Sequence, residues 1–295
     1  MIVVTGGAGF IGSHLVDILP YPLVIDDLRS GDRVPDPAKA GFQCASISEA
    51  NYVNAEAIFH LAGPVGPVGV LSQAGNIVRQ VVDDAATVRT WAKRANCPLI
   101  YVSTSEIYGP HEGRTNEGDD RIIRAGHSAR MEYAVAKLAA ETMLLNSDID
   151  VRIVRPFNVA GPRQKPDGGF VLPRFIEQAQ AGQPLTVYFP GTQRRAFTHV
   201  LDIVDGIHRV WKYAQPKTVW NLGNPDNECS IRELADEVIN VLDSDSTVSI
   251  VNPKKLWGDA FEEAPDKVPN IEKAKELLGW RPTRDRRQTI LDAAA

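Results

Sequence analysis

The 295-residue chain contains only three cysteines, Cys44, Cys97 and Cys229. Their odd number argues against a disulfide framework, and their positions match no metal-ligand spacing, so we expect no metal site. Three unpaired thiols are typical of a reducing compartment, which predicts a cytoplasmic protein.

The chain also lacks an excess of basic residues and a long apolar run. Its 32 basic and 37 acidic residues give a net charge of −5, which offers no electrostatic footprint for nucleic acid or an anionic membrane. No apolar run is long enough to span a bilayer, and no signal peptide precedes the first apolar run. We therefore expect neither a nucleic-acid partner nor a membrane partner.

The most informative stretch is at the start of the chain. The β-branched run 2–4 predicts a buried parallel strand, and Gly6, Gly9 and Gly12 follow it directly. Helical spacing of apolar residues then begins at Phe10 and Ile11. Strand, glycine turn and helix together form the fingerprint of a dinucleotide-binding site, in which the first N–H groups of the helix hold a pyrophosphate.

A second apolar run, residues 23–25, ends in Asp26 and Asp27. Asp26 follows the glycine turn at about the spacing of a carboxylate that binds the adenosine ribose, roughly 20 residues. An acid at this place repels a 2′-phosphate, which favours NAD over NADP. Arg29 and Arg33 lie close enough in sequence to keep NADP as an alternative.

Apolar runs alternate with helical patterns up to residue 158, which predicts an α/β fold with a doubly wound parallel sheet of the Rossmann type. We expect a nucleotide-binding domain over 1–158, to which 196–222 returns, and a smaller C-terminal α/β substrate-binding domain over 159–195 and 223–295. The glycine–proline segment 63–67 is expected to form a rigid loop.

Tyr133 and Lys137 are four residues apart on a predicted helix over 130–146 and therefore share one face. A neighbouring ammonium group lowers the pKa of a tyrosine, which then serves as the general base for an alcohol. Ser103 and Thr104 end a nearby predicted strand, where Thr104 can align the substrate hydroxyl. Without that context, the pair would be interpreted as an ordinary surface Tyr/Lys pair.

These motifs resemble the NAD-dependent sugar epimerase/dehydratase family, a group of extended short-chain dehydrogenase/reductases. The resemblance covers nearly the whole chain and is carried by Thr5–Gly12, Asp26, His60–Ala62, Ser103–Gly109, Tyr133, Lys137, Arg155–Asn158 and Arg195. It implies NAD as cofactor and a nucleoside-diphosphate sugar as substrate, with a UDP-sugar favoured. It also implies that the second domain binds the nucleotide sugar.

The resemblance implies a set of site residues by position. The expected catalytic residues are Thr104, Glu106, Tyr133 and Lys137. The expected cofactor-binding residues are Gly6, Gly9, Phe10, Ile11, Gly12, Asp26, Asp27, Leu61, Ala62, Tyr133, Lys137 and Pro156. The expected substrate-binding residues are Ser105, Arg130, Asn158 and Arg195, of which Asn158 and Arg195 match positions that hold the diphosphate.

Within the family, the segments 103–109 and 60–67 and the residue Arg130 resemble UDP-glucuronate decarboxylases. The resemblance implies transient oxidation of the sugar at C4, followed by loss of CO₂ to give UDP-xylose or its 4-keto precursor. Glu106 is expected to assist proton transfer at C5, although it could instead be a turn cap. A 4-epimerase, a 4,6-dehydratase and a catalytically idle NAD-binding sensor remain alternatives.

The chain departs from these decarboxylases at three places. Residues 68–71 contain no tyrosine after the second proline of the loop, and Ser46 stands where an acid commonly contacts adenine. Lys267 stands where relatives often place a phosphate-binding arginine. The resemblance also implies a homodimer, formed through the predicted helices over 72–96 and 130–146.

Overall fold

The structure is a computed structural model that describes residues 1–50, 54–123, 126–258 and 263–295. The strands are β1 (Ile2–Thr5), β2 (Leu23–Asp26), β3 (Gly41–Cys44), β4 (Ala57–His60), β5 (Leu99–Val102), β6 (Arg114–Thr115), β7 (Val151–Pro156), β8 (Val159–Ala160), β9 (Leu185–Tyr188), β10 (Arg194–Ala196), β11 (Thr198–His199), β12 (Thr218–Leu222), β13 (Glu228–Ser230), β14 (Val248–Val251) and β15 (Val268–Pro269). The helices are α1 (Phe10–Ile18), α2 (Gly66–Ser72), α3 (Ile77–Ala95), α4 (Ala129–Leu145), α5 (Val171–Gln180), α6 (Val200–Tyr213), α7 (Ile231–Val241), α8 (Lys254–Trp257), α9 (Glu272–Leu278) and α10 (Arg286–Ala294).

Seven strands form one parallel sheet in the order β3-β2-β1-β4-β5-β7-β12. The strand order reverses between β1 and β4, and in such sheets the crevice at the carboxyl ends of the strands at this point binds ligands. The predicted Rossmann-type α/β fold is confirmed. The return of the chain to this sheet through β12, beside β7, is confirmed as well.

Both faces of the sheet are covered by helices, which explains the continuous apolar runs of the strands. Ile2 and Val4 pack into a core with α1, α6 and α9, whereas Val3, between them, packs into a second core with α3 and α4. A third apolar cluster joins α5, α7, α10 and β9. It belongs to the part of the chain predicted to bind substrate.

The predicted loop over 63–67 is wrong from Gly66 onward, where α2 begins with Pro67 in its first turn. A proline is compatible with the first helical turn because the N–H it lacks would have no partner there. The long helix expected over 72–96 is present as α3 but begins at Ile77, and Ser72 instead ends α2. The carboxylate of Glu132 on α4 accepts hydrogen bonds from the N–H groups of Gly75 and Ile77 at 2.6 and 2.8 Å, which stabilises the break.

A buried ion pair lies where α4 packs on β7. Arg155 donates to both carboxylate oxygens of Glu141, at 3.0 and 2.5 Å, and both side chains are only 2% exposed. Arg155 also donates to the hydroxyl of Tyr108 at 2.7 Å, and that hydroxyl donates to Asn221 on β12 at 2.6 Å. The network therefore connects α4 to β7, to β12 and to the 3-10 helix over Ser105–Tyr108.

Glu141→Gln should lower the free energy of unfolding by about 3–5 kcal/mol, because it leaves the Arg155 guanidinium buried without a counter-charge. Chemical denaturation measures the change. Asp236→Asn is the control: it breaks the exposed Arg232–Asp236 pair on α7, at 3.0 Å, and should change stability by less than about 0.5 kcal/mol. Equal losses in the two variants would contradict a dominant role for the buried pair.

Candidate functional site

A cleft of about 440 Å³ opens at the carboxyl edge of the sheet, where the strand order reverses. The glycine turn after β1 forms one end, and residues of β9 and β10 line the other. Every residue that the sequence predicted for cofactor binding, catalysis or substrate binding lines this cleft. The lining residues extend from the glycine turn to β9 and β10, so a dinucleotide can bind beside a second ligand.

The glycine turn is shaped by close backbone contacts. A Cβ on Gly6, whose φ is +74°, would lie 2.5 Å from the Ala62 nitrogen, and a Cβ on Gly12 would lie 2.1 Å from the Gly6 carbonyl oxygen. A Cβ on Gly9 would meet only that same carbonyl, at 3.3 Å, and would otherwise fill the cleft. The turn is thus a cradle that side chains would obstruct, and it opens onto the first N–H groups of α1, as a pyrophosphate requires.

The two aspartates at the end of β2 have different surroundings. Asp26 is buried and accepts hydrogen bonds from the N–H groups of Ala8, at 3.0 Å, and Leu28, at 2.9 Å, so it braces the glycine turn. Asp27 is more accessible and pairs with the guanidinium of Arg29 at 2.5 Å. Both line the cofactor end of the cleft, and the pair with Asp27 neutralises Arg29, one of the two arginines that kept NADP as an alternative.

Tyr133 and Thr104 both line the centre of the cleft. Burial and the charge of Glu106 raise the pKa of Tyr133, and the nearby Thr104 hydroxyl, which can donate to the phenolate, offsets only part of this effect. The expected lowering by Lys137 is wrong for this structure, because the Lys137 ammonium donates instead to the Val102 carbonyl at 3.1 Å. Burial lowers the pKa of Lys137 itself to about 8.

Glu106 lies between two cations. Arg130 donates to both of its carboxylate oxygens, at 2.8 and 2.9 Å, and the Lys267 ammonium contacts the same carboxylate. Burial alone would raise the pKa of Glu106, but the two cations hold it well below its usual range. Glu106 is therefore ionised near neutral pH and has no proton to donate. Its N–H also donates to Thr104 Oγ1 at 3.1 Å, so it lies in the first turn of a short 3-10 helix that Thr104 caps.

The remaining predicted substrate residues surround this cluster. Arg195 is buried and donates to the Ala264 carbonyl at 2.7 Å and to Glu263 at 3.2 Å, so it is not a surface arginine. Asn158 has a positive φ of 39° and donates weakly, at 3.4 Å, to the carbonyls of Ala196 and Lys267. Ser105 is buried at the edge of the cleft.

The structure adds cleft residues that sequence reasoning missed. Asp84 on α3 is half-buried and faces the cofactor end, and burial raises its pKa to about 6. At the other end, Arg174 donates to the Tyr188 hydroxyl at 2.9 Å, and Gln193 keeps a buried side-chain oxygen without a partner. The helical period could have suggested that Asp84 lies on the inner face of α3, because it follows the buried Ile77 by seven residues, about two turns. Nothing in the sequence pairs Arg174 with Tyr188.

Two further searches concern the described ranges only. None of their helices is both long and apolar enough to cross a membrane. Over the same ranges, no three His, Cys, Asp or Glu side chains come together in a way that could hold a metal ion.

A family model described as the NAD dependent epimerase/dehydratase family matches residues 2–223, and the chain belongs to this family. NAD is accordingly its cofactor, as the glycine turn and the acids after β2 predict. The proteins it resembles in sequence and those it resembles in structure are nucleotide-sugar enzymes.

Two curated relatives are decarboxylases. The chain is 32% identical over 296 residues to UDP-N-acetyl-alpha-D-glucosaminuronate decarboxylase of Bacillus cytotoxicus, covering 95% of this chain and 92% of that one. It is 34% identical over 301 residues to UDP-glucuronic acid decarboxylase 6 of Arabidopsis thaliana, covering 95% and 84%.

Solved structures share the whole fold. One is UDP-glucose 4-epimerase from Thermotoga maritima, solved with UDP-glucose. The match covers 99% of this chain and 97% of the epimerase chain, with a TM-score of 0.87 and 23% sequence identity. UDP-glucuronic acid 4-epimerase from Bacillus cereus, solved with UDP-glucuronic acid and NAD, has the same coverage, a TM-score of 0.84 and 25% identity.

NADH should bind more tightly than NADPH, and Asp27→Asn should narrow that preference. The substitution frees Arg29 to pair with a 2′-phosphate, a charge-assisted contact that should improve NADPH affinity roughly tenfold. Fluorescence titration of both cofactors measures the ratio of affinities. Asp32→Asn, an exposed acid paired with Lys165 outside the cleft lining, is the control and should leave the ratio unchanged. An unaltered ratio in Asp27→Asn would show that Arg29 has no part in cofactor choice.

Proposed function

We propose that the protein decarboxylates a UDP-uronic acid, with UDP-glucuronate as the first candidate, after transient oxidation at C4. The observation that carries this proposal is the cluster of Glu106, Arg130, Lys267 and Arg195 directly beside Tyr133 and Thr104. Arg130, Lys267 and Arg195 carry three positive charges against the two carboxylates of Glu106 and Glu263, which leaves a net positive charge where an anionic sugar group must bind. Decarboxylases of UDP-uronic acids among the curated relatives support the same reaction.

The first step is removal of the C4 hydroxyl proton by Tyr133. Thr104, which lines the cleft near Tyr133, aligns that hydroxyl, and Lys137 supplies positive charge behind the two side chains. NAD, which the glycine turn and Asp26 would hold, would supply the hydride acceptor for C4 and the positive charge that favours the phenolate. The resulting ketone makes the C6 carboxylate a β-keto acid, which loses CO₂ readily.

Substrate orientation follows from the distribution of charge along the cleft. Arg195 and Asn158 are suited to the diphosphate, since a guanidinium binds phosphate oxygens in pairs. Arg174, Tyr188 and Gln193 lie beyond them and can hold the nucleoside. The sugar then lies between Arg195 and Tyr133, with its carboxylate toward the cations on Glu106.

A 4-epimerase is the second candidate, because the chain shares its fold at 25% identity with UDP-glucuronic acid 4-epimerase. Its first step would be the same and no carbon would be lost. A 4,6-dehydratase would instead eliminate water from C5 and C6. A catalytically idle sensor would have no use for Thr104, Tyr133 and Lys137 together in the cleft.

Incubation with NAD⁺ and a panel of UDP-, dTDP- and GDP-sugars, followed by mass spectrometry, tests the reaction. We expect UDP-glucuronate to lose the mass of CO₂.

Glu106→Gln should keep NADH binding but lower turnover by about 10²-fold or more, since Arg130 and Lys267 lose the charge that positions them. Tyr133→Phe should abolish both turnover and any transient NADH. An isomeric product without carbon loss would favour the epimerase, and full activity of Glu106→Gln would remove the cluster from the reaction.

We propose in addition a cytoplasmic homodimer that forms through the outer faces of α3 and α4. The two helices pack side by side, and Val78 on α3 is 39% exposed, with Val135 and Leu138 on α4 partly exposed. Free thiols at the three cysteines support a reducing compartment.

Light scattering at micromolar concentration should give twice the chain mass of 32.3 kDa. Val78→Glu should shift the species toward the monomer, because the charge would be buried in the interface. Tyr213→Glu, on the exposed end of α6, is the control and should leave the mass unchanged. A parent protein that scatters as a monomer would refute the dimer.

A further inference from the structure

Asp84 is an acid on the mostly apolar inner face of α3. It follows Ile77 by seven residues and Val81 by three, and both of those side chains are buried in the core that α3 shares with the sheet. The Asp84 side chain is itself half-buried, and it lines the cleft together with residues that follow β2 and β3. Burial of a carboxylate costs free energy of folding, so an acid at such a position calls for a ligand or a partner.

The Asp84 carboxylate has no partner among the residues that the structure describes: none donates a hydrogen bond to it, and none forms an ion pair with it. Arg29, after β2, pairs with Asp27 instead, and Lys137 on α4 donates to a backbone carbonyl of β5. Burial, with the charges of Asp27 and Asp83, raises the pKa of Asp84 to about 6. The charges of Arg29 and Lys137 oppose this rise. Above about pH 6 the group is therefore ionised, and it can only accept hydrogen bonds.

The surroundings of Asp84 correspond to the place of the adenine ring. Arg29 interacts electrostatically with acids from three elements, which are the end of β2, the turn after β3 and α3, so these elements meet around it. Ala45 and Ile47, after β3, pack in the same apolar cluster as α3. In this fold the pyrophosphate lies at the glycine turn, and the adenosine ribose lies at the acids that end β2. The base attached to that ribose then belongs between the end of β3 and α3, where Asp84 opens into the cleft.

The segment after β3 uses its polar groups within its own turn. The hydroxyl of Ser46 donates to the Glu49 carboxylate at 2.7 Å, and the Ser46 N–H donates to the same carboxylate at 3.1 Å. Ala45 and Ile47, on either side of Ser46, line the cleft with apolar surface that suits the faces of a base. On the opposite side, the carboxylate that α3 offers to the edge of that base is Asp84.

We propose that Asp84 determines the choice of base in the cofactor, by accepting a hydrogen bond from the 6-amino group of adenine. The amino group is the exocyclic donor of adenine, whereas its ring nitrogens N3 and N7 accept hydrogen bonds. An ionised carboxylate repels acceptors and binds the donor, so it discriminates against a base that carries a keto oxygen at the same place. The inference concerns the cofactor alone, and it does not depend on which reaction the sugar undergoes.

The test compares the affinities of cofactor-free protein for NADH and for reduced nicotinamide hypoxanthine dinucleotide, in which a keto oxygen replaces the amino group of the base. Nicotinamide fluorescence measures both. The parent should bind NADH about 10- to 100-fold more tightly, which is the usual effect of losing a hydrogen bond to a charged group. Asp84→Asn should bring the ratio to within about threefold of one, because an amide can accept from an amino group or donate to a keto oxygen. Asp84→Ala should also lose the preference, since it keeps neither group.

Asp83→Asn is the matched control. Asp83 precedes Asp84 on the same helix, but its side chain is 69% exposed and interacts with Arg79 outside the cleft lining, so this variant should keep the ratio of the parent. Chemical denaturation of the cofactor-free protein is a second readout. Because the ionised Asp84 carboxylate is buried without a partner, Asp84→Asn should raise the denaturation midpoint near neutral pH.

Four outcomes would overturn the inference. Equal affinity of the parent for the two cofactors would show that the amino group is not recognised, and an Asp84→Asn variant that keeps the full preference would assign recognition to another group. Equal weakening of both cofactors in Asp84→Asn would assign the carboxylate to a ribose hydroxyl. A lowered denaturation midpoint in that variant would give Asp84 a structural role. None of these results bears on the loss of CO₂ from a UDP-uronic acid, so the proposed function is tested separately.

Discussion

The ion cluster on Glu106 is the interaction on which the candidate site depends. Glu106 lies in the 3-10 helix after β5, Arg130 in the first turn of α4, and Lys267 in the segment that pairs with Arg195 of β10. These three segments are far apart in the chain. Removing one member would leave a buried charge without its partner, a change that costs about 3–5 kcal/mol in comparable pairs. The cluster therefore holds these three segments together at the edge of the cleft.

The charges of the cleft are separated along its length. Acids lie at the end that receives the adenosine ribose, where Asp26 braces the glycine turn and Asp27 neutralises Arg29. Cations lie at the end where we propose that the diphosphate and the sugar acid bind, with Arg195 and Lys267 both buried. Between the two ends, the N–H groups at the start of α1 offer positive potential to a pyrophosphate. The proposed function uses this pattern to bring the reacting carbons of two anionic ligands together at Tyr133.

Local sequence signals predicted the fold and the catalytic pair, because both depend on short-range periodicity. The apolar runs predicted β1, β2 and β4, and the four-residue spacing predicted the shared face of Tyr133 and Lys137. The start of α2 at Gly66 was missed because a glycine–proline pair suggests a loop. The start of α3 was misplaced because Glu132, from the distant helix α4, accepts the N–H of Ile77. The pKa of Tyr133 and the contact of Lys267 with Glu106 depend on burial and on distant segments meeting, which no spacing in the sequence encodes.

Transient oxidation at C4 is the central claim, and a deuterium label at that carbon tests it most directly. UDP-glucuronate deuterated at C4 should be turned over with NAD⁺ and the label followed by NMR and mass spectrometry. The account predicts that the deuterium is found at C4 of the product, or on the reduced nicotinamide if the ketone is released, and never in water. Deuterium released to the solvent would contradict hydride transfer from C4, and so would a product that forms equally well without NAD⁺ in protein freed of cofactor.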